Sequence, residues 1–153
     1  MHAKGIKAPV RISIRRALTP DAFAAAADIY RRCGDVFTWR PAGYFKPSDF
    51  LAVAREEEVF LAWIGEDAAG FATLYPPAFL HCLHVRPDRQ GLGVGRALAA
   101  HLRAQARAPL TLKVDAPNLA AIGFYRATGW LPLDGPDDTG IDEGVAWRRW
   151  RLA

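Results

Sequence analysis

Residues 86–102 read RPDRQGLGVGRALAAHL, a glycine-rich segment that leads directly into an alanine- and leucine-rich run. Gly91, Gly93 and Gly95 alternate immediately before that run. Its composition is typical of a helix, which we predict from about residue 93 to residue 107. Glycines at a helix N-terminus leave successive backbone N–H groups open, which favours a bound phosphate or pyrophosphate. A tight turn whose glycines only relieve backbone strain is the alternative.

Two familiar nucleotide-binding loops do not fit this spacing. A dinucleotide fold expects Gly-x-Gly-x-x-Gly, whereas here Arg96 follows the third glycine. A P-loop ends in Gly-Lys-Ser/Thr, which is absent. Arg86 and Arg89 also flank the loop, and each of these arginines either adds charge near a phosphate or stays solvated. The loop therefore indicates an anion site of another kind.

The composition predicts one ordinary soluble domain. The chain has 153 residues, of which 51% are apolar, enough for a core of its own, so we assign residues 1–153 to a single domain. The first residues lack the apolar segment of a secretory signal, and the densest apolar stretch, residues 59–65, is too short to cross a bilayer. Cys33 and Cys82 have no disulfide or zinc spacing, so we expect a cytoplasmic protein without a metal.

The net charge of +4 raises the question of a nucleic-acid partner. Lysines and arginines are scattered, and the chain shows neither a continuous basic stripe nor a recognisable stacking module. The arginines around the glycine loop are explained more simply by a small polyanionic ligand. We therefore expect no nucleic-acid partner and no membrane partner.

Hydrophobic periodicity and turn residues predict a single mixed α/β sheet. Thr19 and Asn118 are the predicted caps of two helices, and Ser48 and Asp49 those of a short third one. We predict strands at residues 10–17, two within the hairpin 58–77, 78–85, 110–114, 130–134 and 145–152, helices at 20–32, 48–54, 93–107 and 118–128, an aromatic loop at 35–47 and an acidic loop at 135–144.

Two stretches resemble one known family. Residues 80–98, LHCLHVRPDRQGLGVGRAL, resemble motif A of the GNAT (GCN5-related) N-acetyltransferases, with Gln90, Gly93 and Gly95 at its signature positions. Residues 116–130, APNLAAIGFYRATGW, resemble motif B of the same family. The resemblance implies a single-domain fold with a mixed, mostly antiparallel, seven-stranded sheet flanked by about four helices.

The resemblance also implies acetyl-CoA as cosubstrate. The strand before the loop would pair with the pantetheine arm as an added strand, the loop amides would hold the pyrophosphate, and Asn118 and Tyr125 would contact the cofactor. The implied cofactor-binding residues are Leu83, His84, Val85, Gln90, Gly91, Leu92, Gly93, Val94, Gly95, Arg96, Asn118 and Tyr125.

The same resemblance makes Tyr125 the acid that protonates the leaving thiolate. Asn118 lies seven positions earlier on the same predicted helix face. Without the resemblance, a capping asparagine and a core tyrosine explain this pair equally well.

The general base has more than one candidate. By resemblance His81 accepts the amine proton through water, although a structural histidine is the alternative and Asp115 is a rival base. Strand alternation predicts that His81 and His84 face opposite sides of the sheet. Cys82 is most simply a small buried residue.

These observations predict an N-acetyltransferase that moves an acetyl group to a primary amine by direct attack in a ternary complex. A CoA-binding regulatory module with little catalysis is the alternative, and a homodimer is left open. We expect a small-molecule amine that is attracted by acids and contacted by aromatic rings. The acids are Asp137, Asp138, Asp142 and Glu143, and the rings are Phe37, Trp39, Tyr44 and Phe45.

Overall fold

The computed structural model describes residues 10–152, so the basic segment 1–9 and Ala153 lie outside the described residues. The elements in chain order are β1 (Ile12–Arg16), α1 (Pro20–Gly34), α2 (Pro47–Ala54), β2 (Glu58–Ile64), β3 (Asp67–Tyr75), β4 (Phe79–Val85), a 3₁₀ turn (Pro87–Arg89), α3 (Val94–Gln105), β5 (Thr111–Asp115), α4 (Leu119–Ala127), β6 (Trp130–Pro132), β7 (Thr139–Asp142) and β8 (Val145–Leu152).

The strands form one sheet in the order β1-β2-β3-β4-β5-β8-β6, with β7 also paired to β8. Every neighbouring pair is antiparallel except β4 and β5. The predicted α/β class, with a mostly antiparallel sheet and four α-helices, is confirmed. The described residues hold eight strands rather than seven, because Thr139–Asp142 in the predicted acidic loop forms a hairpin with β8.

Side-chain caps and prolines begin the helices. The Thr19 hydroxyl accepts a hydrogen bond from the Ala22 N–H at 3.2 Å, and Pro20 opens α1, where its missing N–H costs nothing. For the same reason α2 begins at Pro47, before the predicted caps Ser48 and Asp49.

Each face of the sheet is covered by its own helices. Leu98 and Leu102 of α3 are buried in a cluster that extends to Trp130. Ile29 of α1 and Phe50 of α2 are buried in a second cluster on the opposite face. None of the helices in residues 10–152 is long and apolar enough to cross a membrane.

The sheet divides between β4 and β5. These strands share a single register pair, Phe79 with Thr111, and the Thr111 N–H donates to the Ala78 carbonyl at 2.9 Å. Beyond that pair the two strands diverge, so the rest of β4 has an edge without a neighbouring strand among the described residues. This edge exposes backbone groups to any ligand that enters the gap.

A bulge in β4 changes which way His81 points. Leu74 pairs with Leu80 and Thr73 pairs with Cys82, so His81 is an extra residue opposite β3. Leu80 consequently belongs to the α3 cluster, whereas Cys82 belongs to the α1 and α2 cluster. The prediction that His81 and His84 face opposite sides is wrong, because the bulge turns His81 to the side covered by α1 and α2, where its neighbours lie.

Candidate active site

A cleft of about 440 Å³ opens beside the unpaired edge of β4. It is walled by β4, the glycine loop with the start of α3, α4, and the C-terminal end of α1. Of the predicted cofactor-binding residues, those lining it are Leu83, His84, Val85, Gln90, Gly91, Gly93, Val94, Gly95, Arg96, Asn118 and Tyr125. Leu92 is the exception, since 42% of it is exposed and it is not part of the cleft wall.

Two glycines shape the loop through their backbone conformation. Gly91 has φ +77° and Gly93 has φ +89°, both in the left-handed region that residues with side chains rarely adopt. Gly93 is the residue before α3, so its conformation turns the chain into the first helical turn. The first N–H groups of any helix lack partners within it, and here the helix start lines the cleft. The loop therefore presents donors to an anion.

Gly95 lies in the first turn of α3, where the chain approaches Phe124 of α4 and Val85 of β4. A Cβ atom at Gly95 would lie 3.4 Å from two ring carbons of Phe124 and 3.7 Å from a methyl carbon of Val85. These are ordinary van der Waals distances, so the space around Gly95 would accept a methyl group. The backbone requirement for glycine therefore lies at Gly91 and Gly93.

The opposite wall contains a thiol that sequence reasoning did not connect with the site. The Cys33 Sγ donates a hydrogen bond to the Val85 carbonyl at 3.2 Å. Burial raises the pKa of the Cys33 thiol to about 12, so it stays a protonated donor at neutral pH. No spacing or motif in the sequence pairs these two residues, which are 52 positions apart.

Tyr125 lies on α4 with 7% of the residue exposed, and it lines the cleft. Its ring packs edge-on against Phe124 and Trp130, each with centroids 5.5 Å away. Burial, with a smaller effect from Cys82, raises the pKa of the Tyr125 hydroxyl above its ordinary range. The hydroxyl therefore remains a proton donor at neutral pH.

Asn118 is the cap of α4, as predicted. Its side-chain oxygen accepts a hydrogen bond from the Ala121 N–H at 3.2 Å. The amide nitrogen of Asn118 is left for another partner, and the residue also lines the cleft. The structural and the cofactor-binding interpretations of Asn118 are thus compatible.

His84 is enclosed by aromatic rings. Its ring centroid lies 5.4 to 6.3 Å from those of four neighbours, Tyr30, Phe37, Phe45 and Phe71. Burial lowers the pKa of His84 to about 4, and a charge on His81 adds to this effect. The imidazole is therefore neutral at neutral pH where it meets the cleft.

His81 lies outside the cleft, in a second open pocket of about 610 Å³. His81 Nδ1 is 2.5 Å from Glu57 Oε1, and 40% of the histidine side chain is exposed. The Tyr30 ring joins the two sites, because it lines the second pocket and contacts His84. Other residues around this pocket are Tyr44, Lys46, Asp49 and Glu143.

One carboxylate oxygen of Asp115, the rival base, is held by the aromatic loop. Its Oδ2 accepts hydrogen bonds from Arg40 Nη2 at 3.0 Å, Arg40 Nε at 3.3 Å and Trp39 Nε1 at 3.1 Å. The Arg40 guanidinium also lies over the Tyr44 ring, 4.6 Å from its centroid. Asp115 therefore anchors this loop, and it lines neither the cleft nor the second pocket.

The predicted acidic residues have separate roles. Asp138 accepts a hydrogen bond from the Gly135 N–H at 2.9 Å and pairs with Arg149 at 3.3 Å. Asp142 lies 3.6 Å from Arg40, which brings the acidic segment against the aromatic loop. Glu143 is the member of the group that lines the second pocket.

The arginines of the glycine loop also differ from one another. Arg86 pairs with Asp88 at 2.7 Å, whereas Arg89 and Arg96 line the cleft. Because they line the cleft, Arg89 and Arg96 bring positive charge to it. Arg89 also lies 3.2 Å from the Asp67 carboxylate. Among residues 10–152, no group of three or more His, Cys, Asp or Glu side chains could hold a metal ion.

The model of the Acetyltransferase (GNAT) family matches residues 18–130. The chain belongs to this family. The resemblance read from residues 80–98 and 116–130 is thereby confirmed.

Curated relatives of this GNAT chain are acetyltransferases. It is 34% identical over 106 residues to a mycothiol acetyltransferase from Geodermatophilus obscurus and 37% identical over 84 residues to one from Streptomyces scabiei. These matches cover 60% and 49% of this chain. The matched regions are 32% and 27% of the two relatives, so the chain spans about a third of their length or less.

Solved structures share the whole GNAT fold. YjaB from Escherichia coli is 25% identical with a TM-score of 0.73, covering 93% of this chain and 97% of that one. The ribosomal-protein-S18-alanine N-acetyltransferase from Escherichia coli is 25% identical with a TM-score of 0.68, covering 93% of each chain. The acetyl-CoA complex of yncA from Salmonella typhimurium is 18% identical with a TM-score of 0.70 and covers 92% of each chain.

Proposed function

We propose that this protein is an N-acetyltransferase that transfers an acetyl group from acetyl-CoA to the primary amine of a small molecule. The observation that carries the proposal is the cleft itself, which joins the free edge of β4, the start of α3 and Tyr125. Each part matches one need of the reaction: an extended thioester arm, a pyrophosphate, and a leaving thiolate that must be protonated.

Acetyl-CoA would lie along Leu83 and Val85, with its pantetheine amides on the open edge of β4. Its pyrophosphate would meet the N–H groups from Gln90 to Arg96. The structural relative solved with acetyl-CoA, yncA, supports this choice of cosubstrate. The cleft is polar where the loop lies and apolar where Phe124 and Val94 lie, as an amphipathic ligand requires.

The chemical step is direct attack in a ternary complex. The neutral amine nitrogen forms a bond to the thioester carbonyl carbon, and the carbon–sulfur bond breaks as the tetrahedral intermediate collapses. Tyr125 gives its proton to the departing thiolate. The amine nitrogen loses one proton, which passes through water to His81. The two pockets are adjacent, because Tyr30 lines the pocket of His81 and contacts His84, which lines the cleft. No metal takes part in the proposed step.

The position of His81 favours a second candidate function. Because His81 lines the second pocket rather than the cleft, a CoA-binding regulatory module with little catalysis also fits this site. Such a module needs the glycine loop and β4 and has no need of a base beside the thioester.

The deciding experiment combines binding with turnover. The protein is incubated with acetyl-CoA and a panel of small amines, and free thiol release and product mass are followed. Acetylated amine that disappears in Tyr125→Phe supports the enzyme. A melting temperature raised by acetyl-CoA without thiol release for any amine identifies the binding module, and no response to acetyl-CoA rejects both functions.

A further inference from the structure

Glu57 lies between α2 and β2. Only 6% of the Glu57 side chain is exposed, and its Oε1 is 2.5 Å from His81 Nδ1. The other oxygen, Oε2, is buried and has no hydrogen-bond partner among the described residues. A carboxylate is thus withdrawn from water with a histidine as its partner.

Burying this carboxylate destabilises the fold. A carboxylate removed from water loses its hydration free energy, and this loss is offset only when both oxygens accept good hydrogen bonds. The neighbouring acids differ, since Glu56 is exposed and Glu58 lies 3.7 Å from Arg107. Glu57 is therefore a poor stabilising residue, and its position calls for a role toward His81.

The geometry defines that role. When Glu57 is ionised, it accepts a hydrogen bond from Nδ1–H of the neutral imidazole, which fixes the tautomer and leaves the Nε2 lone pair free. The β4 bulge turns His81 toward the second pocket, and 40% of its side chain is exposed. The free nitrogen is thus available to the pocket and to its solvent.

We propose that Glu57 is a positioning residue that holds His81 in the Nδ1–H tautomer, so that Nε2 accepts the proton lost by the attacking amine. The proposal rests on the proposed acetyltransferase function. It makes the second pocket the place where the amine is deprotonated. Two carboxylates, Asp49 and Glu143, line this pocket against one ammonium, Lys46, so the lining charge favours a cationic substrate.

The first test reads the tautomer directly and needs no substrate. Nitrogen-15 shifts of the His81 ring are measured at a pH where the imidazole is neutral, in the native protein, in Glu57→Met and in Glu58→Gln. We expect the Nδ1–H form in the native protein and in Glu58→Gln, and the loss of that preference in Glu57→Met. An Nε2–H form in the native protein, or an unchanged tautomer in Glu57→Met, overturns the proposal.

The second test separates positioning from packing. Methionine fills the volume of Glu57 without a buried charge, so Glu57→Met should unfold at the same temperature as the native protein or at a higher one. Its kcat should nevertheless fall by about ten- to a hundredfold, the range found when carboxylates that orient metal-bound histidines are removed, with an unchanged KM for acetyl-CoA. A lower melting temperature with unchanged kcat would make Glu57 structural.

A double-variant cycle completes the experiment. In a His81→Gln background, Glu57→Met should cause no further loss of kcat, because the residue it positions is gone. Additive losses would contradict the proposal. Should Glu57→Met fail to fold, Glu57→Leu, which also cannot accept a hydrogen bond from Nδ1–H, replaces it in every arm. If the native protein acetylates no amine, the acetyltransferase function fails while the tautomer measurement still decides the Glu57–His81 relationship.

Discussion

The Arg40 guanidinium donates two hydrogen bonds to one carboxylate oxygen of Asp115, at 3.0 and 3.3 Å, and so ties the aromatic loop to the end of β5. Only 6% of the Arg40 side chain is exposed. The loop between α1 and α2 contributes Phe37 to the cleft and Tyr44 to the second pocket. The Arg40–Asp115 pair therefore holds the loop that separates the cleft from the second pocket.

Asp115→Asn should destabilise the fold by roughly 1–3 kcal/mol, because it leaves the buried Arg40 guanidinium with only the longer ion pair to Asp142, at 3.6 Å. Asp134→Asn is the matched control, since Asp134 pairs with Arg148 while 83% of its side chain is exposed. An exposed pair contributes about 1 kcal/mol at most. Urea unfolding measures both variants, and equal losses would reduce the Arg40–Asp115 pair to a surface contact.

Gly93→Asp should abolish the stabilisation by acetyl-CoA, because it places a carboxylate at the proposed pyrophosphate site. Ligand at 100 times its dissociation constant stabilises the native protein by about 2.7 kcal/mol. The control is Gly65→Asp, which introduces the same side chain at another positive φ, +60°, in the turn between β2 and β3. Thermal unfolding with and without ligand measures both. A retained shift in Gly93→Asp would place the anion site elsewhere.

Tyr125→Phe should lower kcat by roughly ten- to a thousandfold with little change in the KM for acetyl-CoA, since the hydroxyl acts as the thiolate departs. Tyr75→Phe is the control, because Tyr75 ends β3 with 48% of the residue exposed. Steady-state kinetics with saturating amine give both constants. Unchanged turnover in Tyr125→Phe would leave Tyr125 as a core residue.

The cleft could be predicted from the sequence because the features that shape it depend on residues close together in the chain. Glycine conformations, the Asn118 cap and the helical run depend on neighbours in the chain, and each lies where it was expected. The second pocket depends on contacts across the chain. The Glu57–His81 pair spans 24 positions and arises from a one-residue bulge, which strand alternation does not reveal.

His84 should make the fold less stable as the pH falls from 6.5. Its folded pKa of about 4 lies below the ordinary 6.5, so the neutral imidazole contributes stability above pH 6.5 that is lost on the way to 4. The slope is up to about 1.4 kcal/mol per pH unit. Urea unfolding between pH 6.5 and about pH 5, above most carboxylate titrations, should show this slope.

His84→Phe should flatten that pH dependence, because the ring can enter the aromatic surroundings without a proton to gain. His101→Gln is the matched control, since His101 packs edge-on against Phe60 on the other face of the sheet. The free energy of unfolding of His101→Gln should change with pH as it does in the native protein. If the pH dependence persists in His84→Phe, another group causes the loss of stability in acid.

Glu143→Gln should raise the KM for a cationic amine, more at low salt than at high salt, while leaving acetyl-CoA binding unchanged. The reason is that Glu143 lines the second pocket, whereas Asp142 is paired with Arg40. Asp137→Asn, in the same acidic segment but outside the pocket wall, serves as control. If both variants change the KM equally, the effect comes from the overall charge of the segment.

The acidic segment also shows where local pattern falls short. Residues 135–144 are rich in glycine and aspartate and predict a loop, yet Thr139–Asp142 pairs with β8 as β7. Glu143 and Gly144 form its turn with φ 48° and 80°. Pairing with an adjacent strand overrides the weak β propensity of these residues.

The single register pair between Phe79 and Thr111 makes the sheet two half-sheets joined at one point, β1–β4 on one side and β5–β8 on the other. A ligand lying in the gap bridges the two half-sheets. Bound cosubstrate should therefore slow amide hydrogen exchange in β4 and β5, and the ligand-free protein should open locally between these strands before either half-sheet unfolds.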